Sequence, residues 1–298
     1  MTGPRRRALV LLPLAATACV VQRPADPVPP PRYLVGEPYE AGGRWVYPRE
    51  EMRYVATGLA IVGPARPGLT ANGEAVDSTA LTAAHPTLQL PAIARVTALD
   101  SGRQILVRVN DRGPAAASRL IALSSRAAEL LGMAPGHAAR VRVEVVQSES
   151  ERLRDELGGG PRLQVATAPR EPVGRESLPP PPGVTASARA PLRGPQAAAP
   201  ALATALPSAL LRLPETVRQV APAPGQLWVR AEEFGSGAYA FRRRTQLVGL
   251  PVRIDRAKEG RGETFRVRAG PFATVAEADS ALDRIRATGV TDASITVE

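Results

Sequence analysis

The stretch "SLPPPPGVTASARAPLRGP" divides this chain before anything else about it is known. It lies within residues 148–223, which hold much of the chain's proline, several Ala-rich tracts and no aromatic residue. Such a segment buries too little apolar surface to offset the entropy of ordering it. It is expected to be a disordered linker, partly extended where prolines cluster, with a short helix around Ala201–Leu213 as an option. What folds must therefore fold on either side of it, and 298 residues suit two units. Both should be small-cored, because aromatics make up only 4% of the chain.

Residues 1–18 read as an export signal. Arg5, Arg6 and Arg7 form a charged start, Ala8–Ala16 a short apolar run, and Ala16, Thr17 and Ala18 the small residues before a cleavage point. The run is too short to span a bilayer. Cys19, the sole cysteine, follows directly. The pattern resembles a bacterial lipoprotein signal, which implies lipidation of Cys19 and a membrane-anchored protein facing the periplasm. The leucine common three residues before the cysteine is Ala16 here, and an ordinary secretory signal with an incidental cysteine is the alternative. Val20, in place of an aspartate, points by the same resemblance to the outer membrane.

The formal net charge of +10 calls for an acidic partner. Export excludes nucleic acid and leaves anionic lipid and wall polymer. With two histidines and one cysteine, neither a zinc site nor an intrachain disulfide is expected, and no metal or cofactor is implied.

Residues 19–51, rich in Pro, Gly and Tyr, read as an extended leader. Residues 52–147 read as a compact β-rich unit. "IARVTAL", "RQILVRVN" and "ARVRVEVV" alternate as strands do, and Asp100-Ser101-Gly102 marks a hairpin turn. "SSRAAELLG" predicts a helix capped by Ser124 or Ser125 and closed by Gly132. Residues 224–298 read as strand, helix, two strands, helix, strand. That is the ferredoxin-like βαββαβ order. The first helix should end at Gly249. The second opens with Thr274 and Glu277 as a capping box and carries a stripe of Ala278, Ala281, Leu282 and Ile285. An RNA-binding version of this fold would show stacking aromatics in a Gly-aromatic strand motif, which "TFRVRAGPF" matches poorly.

Three titratable residues of the first unit stand out. Glu74 follows the tight-turn pair Asn72-Gly73, His85 precedes Pro86, and Asp111 ends a strand that runs into Arg112-Gly113-Pro114. A carboxylate there should sit at a barrel rim. By themselves these residues fit an acid site or ordinary turn and loop chemistry.

"LTANGEAVDSTALTAAHPTLQLPAIARVTAL" with "GRQILVRVNDRGP" and "SRLIALSSRAAELLG" resembles the double-psi β-barrel of the RlpA (rare lipoprotein A) family. The last unit resembles a SPOR domain, which implies binding to peptidoglycan strands without stem peptides. The implied fold class is mainly β plus α+β: a six-stranded double-psi β-barrel, the linker, and the SPOR domain. The implied activity is that of an endolytic transglycosylase. Such an enzyme cleaves the bond from N-acetylmuramic acid to N-acetylglucosamine without water and leaves 1,6-anhydro ends, here during division or wall remodelling. The substrate's own 6-hydroxyl is the nucleophile, so one carboxyl group can serve as both acid and base, where a hydrolase needs two. The family's acid matches Asp111, its supporting glutamate Glu74 and its histidine His85. A close Glu74–Asp111 pair would raise one apparent pKa. Asn72, Asn110 and Arg112 are candidate sugar contacts, the last two equally readable as turn structure.

Several positions depart from the family pattern. Ile61 and Val62 replace a Trp-Tyr pair, Ala115 replaces a Phe, and Ala122 replaces an Asp, which thins the sugar platform. In the last unit Trp228, Phe234 and Phe265 match SPOR aromatics and are candidate glycan contacts, with core packing as the alternative. Arg230 stands for the usual glutamine, and Glu232-Glu233 for a Gly-Ala pair. A non-catalytic wall-binding or division-site lipoprotein is the alternative function.

Overall fold

The computed structural model describes residues 30–64, 66–158, 212–259 and 262–298. The signal segment, Cys19, most of the linker and nearly all of the optional helix at Ala201–Leu213 lie outside the described residues. No helix among the described residues is long and apolar enough to cross a membrane.

Six strands close the first unit: β3 (Val55–Val62), β4 (Thr82–Ala84), β5 (Ala92–Ala98), β6 (Arg103–Asp111), β7 (Ile121–Leu123) and β8 (Ala139–Val145). They follow the hydrogen-bonded order β4-β7-β3-β8-β5-β6, and β6 returns to β4 to complete the ring. β3–β7 and β4–β6 pair in parallel, the others antiparallel. The interior is narrow, so small and β-branched side chains fill it: Ala92, Ala94, Val96, Val107, Val109, Val141 and Val143 are fully buried. Helix α1 (Ser125–Leu131) plugs one side. Ser124 accepts a hydrogen bond from the Ala127 N–H, and Gly132 closes the helix at φ 74°, as its sequence predicts.

Both ends of the expected linker are shorter than composition suggests. Helix α2 (Gln147–Glu156) occupies its start and packs on β5. Its apolar stripe is too thin for sequence patterning to find. A single buried Leu153 suffices because the Ser150 hydroxyl also accepts from the Ile93 N–H at 3.0 Å. At the far end, residues 212–223 return to the barrel. Leu213 and Val217 pack on its core, and β9 (Arg218–Gln219) pairs with β6. The Val220 and Ala223 amides donate to the Gly102 and Leu99 carbonyls at 2.9 and 2.8 Å. A strand edge in need of a partner is a long-range property that composition does not reveal.

The leader also docks where described. β1 (Tyr39–Ala41) and β2 (Arg44–Val46) form a small hairpin. Leu34 and Leu90 exchange backbone hydrogen bonds at 2.6 and 2.7 Å, and Arg32 donates to the Asn72 carbonyl at 3.0 Å.

The second unit runs β10 (Leu227–Phe234), α3 (Gly237–Gln246), β11 (Val252–Glu259), β12 (Gly262–Phe272), α4 (Val275–Ala287) and β13 (Ser294–Val297). Its antiparallel sheet has the order β11-β12-β10-β13, which is the ferredoxin-like arrangement. On α4, Ala278, Ala281, Leu282 and Ile285 are buried, and Thr274 accepts from the Glu277 N–H. Glu277 reaches back to the Ala273 N–H, one residue before the cap. α3 ends at Gln246 rather than Gly249, because Leu247 turns into the core.

Candidate active site

Asp111 is the last residue of β6, where Gly113 at φ 131° and Pro114 turn the chain away. It faces a cleft of about 480 Å³ whose wall includes Ile61, Arg66, Thr70, Asn110 and Ala122. Its two oxygens are treated differently. Oδ1 accepts from the Ala71 and Arg112 backbone N–H groups at 2.9 and 2.8 Å. Oδ2 accepts from the Arg66 guanidinium at 2.7 Å. Arg66 is 58% exposed and Asp111 17%, so the pair sits at the mouth of the cleft.

Asp77 is the other carboxylate on the described cleft wall, and it is committed. Its Oδ1 accepts from the Thr79 hydroxyl and N–H, and its Oδ2 from Arg212 at 2.8 Å. The Thr79 hydrogen bonds, followed by Arg212, hold its pKa below the usual range against a small effect of burial.

Glu74 does not line the cleft. Its carboxylate is buried against Arg108, with Nε at 2.9 and 3.1 Å and Nη2 at 2.5 Å. Asn72 and Asn110 donate to it at 2.7 and 2.8 Å. Burial alone would raise its pKa; the Arg108 hydrogen bonds and charge, with the two amides, outweigh burial and lower it. The coupling expected with Asp111 is absent, because Arg108 supplies the charge Glu74 answers to. Asn72 is fully buried as part of this network, whereas Asn110 joins Glu74 to the cleft wall.

His85 lines a different cavity from the Asp111 cleft. Its Nδ1 accepts from the Thr87 and Leu88 N–H groups, both at 3.2 Å, so the proton resides on Nε2, which meets the Tyr54 hydroxyl at 3.1 Å. Burial, then the Arg112 charge, pushes its pKa down to about 3, so the ring is neutral near pH 7. Only its backbone touches the acid: the His85 N–H donates to the Asp111 carbonyl at 3.0 Å. Arg112 spends its guanidinium on the Leu88 carbonyl at 2.5 Å and on the Val35 carbonyl. It ties the leader to the 85–88 loop while also lining the Asp111 cleft.

In the second unit Trp228 is 4% exposed on the sheet face away from the helices. Arg268 and Arg253 stack over it at 4.0 and 5.4 Å. Arg230, Arg268 and Arg253 are direct neighbours across β10, β12 and β11, so one row of three cations crosses that face. Phe234 and Phe265 are cross-strand partners packed on the core, away from the glycan face expected of them. The β-bulge between Arg230 and Glu232 shifts the alternation, and sequence periodicity cannot show it.

Arg66 and Arg108 are the site residues that sequence reasoning passes over. Arg108 left a trace: one charge between the inward residues Val107 and Val109 of a strand. Arg66 left none, since "GPARPG" reads as a plain loop.

The comparisons agree with this architecture. Residues 55–145 match the DPBB_1 family model, described as lytic transglycolase, and residues 223–296 match the SPOR domain model. A double-psi barrel with a rim acid, joined to a peptidoglycan-binding SPOR domain, defines a lytic transglycosylase. Among relatives, the Endolytic peptidoglycan transglycosylase RlpA of Pseudomonas aeruginosa (strain UCBPP-PA14) is 33% identical over 289 residues, covering 89% of this chain and 78% of that protein. That of Escherichia coli (strain K12) is 30% identical over 308 residues, covering 88% and 84%. The Escherichia coli O157:H7 protein of the same name is 36% identical over 168 residues, and that match covers 55% of this chain and 44% of the relative. The chain belongs to the RlpA family.

Proposed function

We propose that this protein is an endolytic peptidoglycan transglycosylase acting on glycan strands freed of stem peptides, with Asp111 as its acid and base. One observation carries the reading. Of the two carboxylates on the described cleft wall, Asp111 ends a barrel strand and keeps one oxygen clear of the backbone, whereas Asp77 sits in a loop where the Thr79 hydrogen bonds and Arg212 favour its charged form. One such carboxylate suffices for intramolecular attack and falls short of the pair a hydrolase needs.

In the proposed step, Asp111 gives a proton to the oxygen linking muramic acid C1 to the next glucosamine. That C–O bond breaks, and the muramic acid 6-hydroxyl oxygen bonds to C1. The Asp111 carboxylate then takes the hydroxyl proton and returns to its starting state. Glu74 and His85 are positioning residues: Glu74 through Asn110, and His85 through its N–H to the Asp111 carbonyl. The arginine row stacked over the buried Trp228 holds a neighbouring stretch of strand. Anchoring through a lipidated Cys19 in the outer membrane belongs to the same proposal and rests on the sequence pattern alone.

The test digests intact and amidase-treated sacculi and reads 1,6-anhydro muropeptides by mass spectrometry. Wild-type protein should release them, and Asp111→Asn should not. The aromatic-poor wall at Ile61, Ala115 and Ala122 favours the rival reading, a wall-binding protein without activity. Binding to sacculi with no anhydro product from wild type would establish it.

A further inference from the structure

The structure assigns Arg66 as a specificity residue that masks Asp111 until a free carboxylate on the glycan draws it away. This deepens the proposed cleavage activity and rests on it.

The two oxygens of Asp111 divide the labour. Two backbone N–H groups fix Oδ1, so it cannot present a proton to a sugar. A proton given to a leaving oxygen has to sit on Oδ2, and Arg66 covers that oxygen. A guanidinium on Oδ2 disfavours a proton there, by its positive charge and by occupying one of that oxygen's lone pairs. Departure of Arg66 therefore readies Asp111 to act as an acid.

Its surroundings allow it to leave. The side chain is mostly exposed. Arg66 and the neighbouring Pro67 and Gly68 lie outside the barrel strands. An exposed ion pair contributes little to stability, so exchanging it for another carboxylate is nearly balanced. The second cation on the described wall, Arg112, has its guanidinium held by backbone carbonyls. Arg66 is thus the wall cation able to meet an incoming anion.

The chemistry of the anion follows from the substrate. The lactyl group on C3 of muramic acid ends in a carboxylate when no peptide is attached. When a stem peptide is present, that carbon is an amide and carries no charge. A planar guanidinium takes a carboxylate in two parallel hydrogen bonds and an amide only weakly. Arg66 exchange therefore couples unmasking of the acid to the absence of the peptide at the reacting sugar.

The test compares peptide-free strands with the same strands after their lactyl carboxylates are converted to methyl amides. Wild type should cleave the native strands faster by about tenfold, the scale of one charge-assisted interaction. Arg66→Gln should cleave both at the same rate, and Arg66→Lys should keep part of the preference. Equal rates for wild type, or an undiminished preference in R66Q, would overturn the assignment. A second readout does not depend on turnover. The Arg66 Nε resonance, identified by its loss in R66Q, should shift on titration with N-acetylmuramic acid and not with its methyl ester. A shift without cleavage would refute the activity and keep the carboxylate site; no shift would refute the site.

Discussion

Glu74 and Arg108 form an ion pair sealed inside the barrel wall, with side chains 8% and 1% exposed. Breaking such a pair leaves an uncompensated buried charge, which costs about 3–5 kcal/mol. Glu74→Gln should therefore lower unfolding free energy by that amount in urea titrations. Glu74→Gln with Arg108→Met should recover part of it, because the buried charge is then gone. If Glu74→Gln is as stable as wild type but inactive, Glu74 takes part in the chemistry itself.

His85 gives a pH signature of defined sign. Its pKa falls from 6.5 in the unfolded chain to about 3 in the fold. The unfolded state then binds more protons between those values, so the cost is absent above 6.5 and grows as pH falls toward 3. The slope is about 1.4 kcal/mol per pH unit. Replacing His85 by Gln should flatten that part of a stability–pH profile. A profile unchanged by the substitution would show that the ring is not buried neutral. Near neutrality, no step in activity should trace to this residue.

Gly102 is the point where the returning segment meets the β5–β6 turn. Its φ is 73°, and a Cβ there would lie 2.0 Å from the Val220 carbonyl oxygen. Gly102→Ala should cost about 1–2 kcal/mol for the left-handed backbone alone. It should also lift Val220 off the barrel. Hydrogen exchange should then speed up at the Val220 and Ala223 amides and stay slow at Val107 and Val143. Protected amides in the variant would mean that Arg126–Glu215 and Arg212–Asp77 hold the segment without the turn.

What was legible in the sequence was local. The turn at Gly102, the cap at Ser124 and the stripe on α4 each depend on residues within a few positions of one another. The closed barrel and the βαββαβ order followed from alternation and from resemblance. Asp111 was legible because Gly113-Pro114 stops its strand. The partners of the other site residues were not. Glu74 and Arg108 are 34 residues apart, and Arg66 and Asp111 are 45. Such pairings exist only once the barrel closes. His85 was expected by resemblance to support the acid, but the environment of its ring is set by the Thr87 and Leu88 amides and by burial. Phe234 turns to the core because a bulge on β10 resets the side-chain alternation, and Phe265 follows the inward alternation of Val267 and Ala269 on β12.

The return of residues 212–223 to the barrel changes what kind of tool the molecule is. Ala223 still donates to Leu99, and β10 begins at Leu227. Leu59 of the barrel lies in the second unit's core, and Arg119 grips Asp279 at 2.7 and 2.9 Å. On the proposed activity, grip and blade therefore share one frame, as in a carpenter's gauge. If glycan binds the arginine row over Trp228 as proposed, it would meet Asp111 at a spacing set by the protein's own girth, and that spacing is what the enzyme would leave written in the lengths of the pieces.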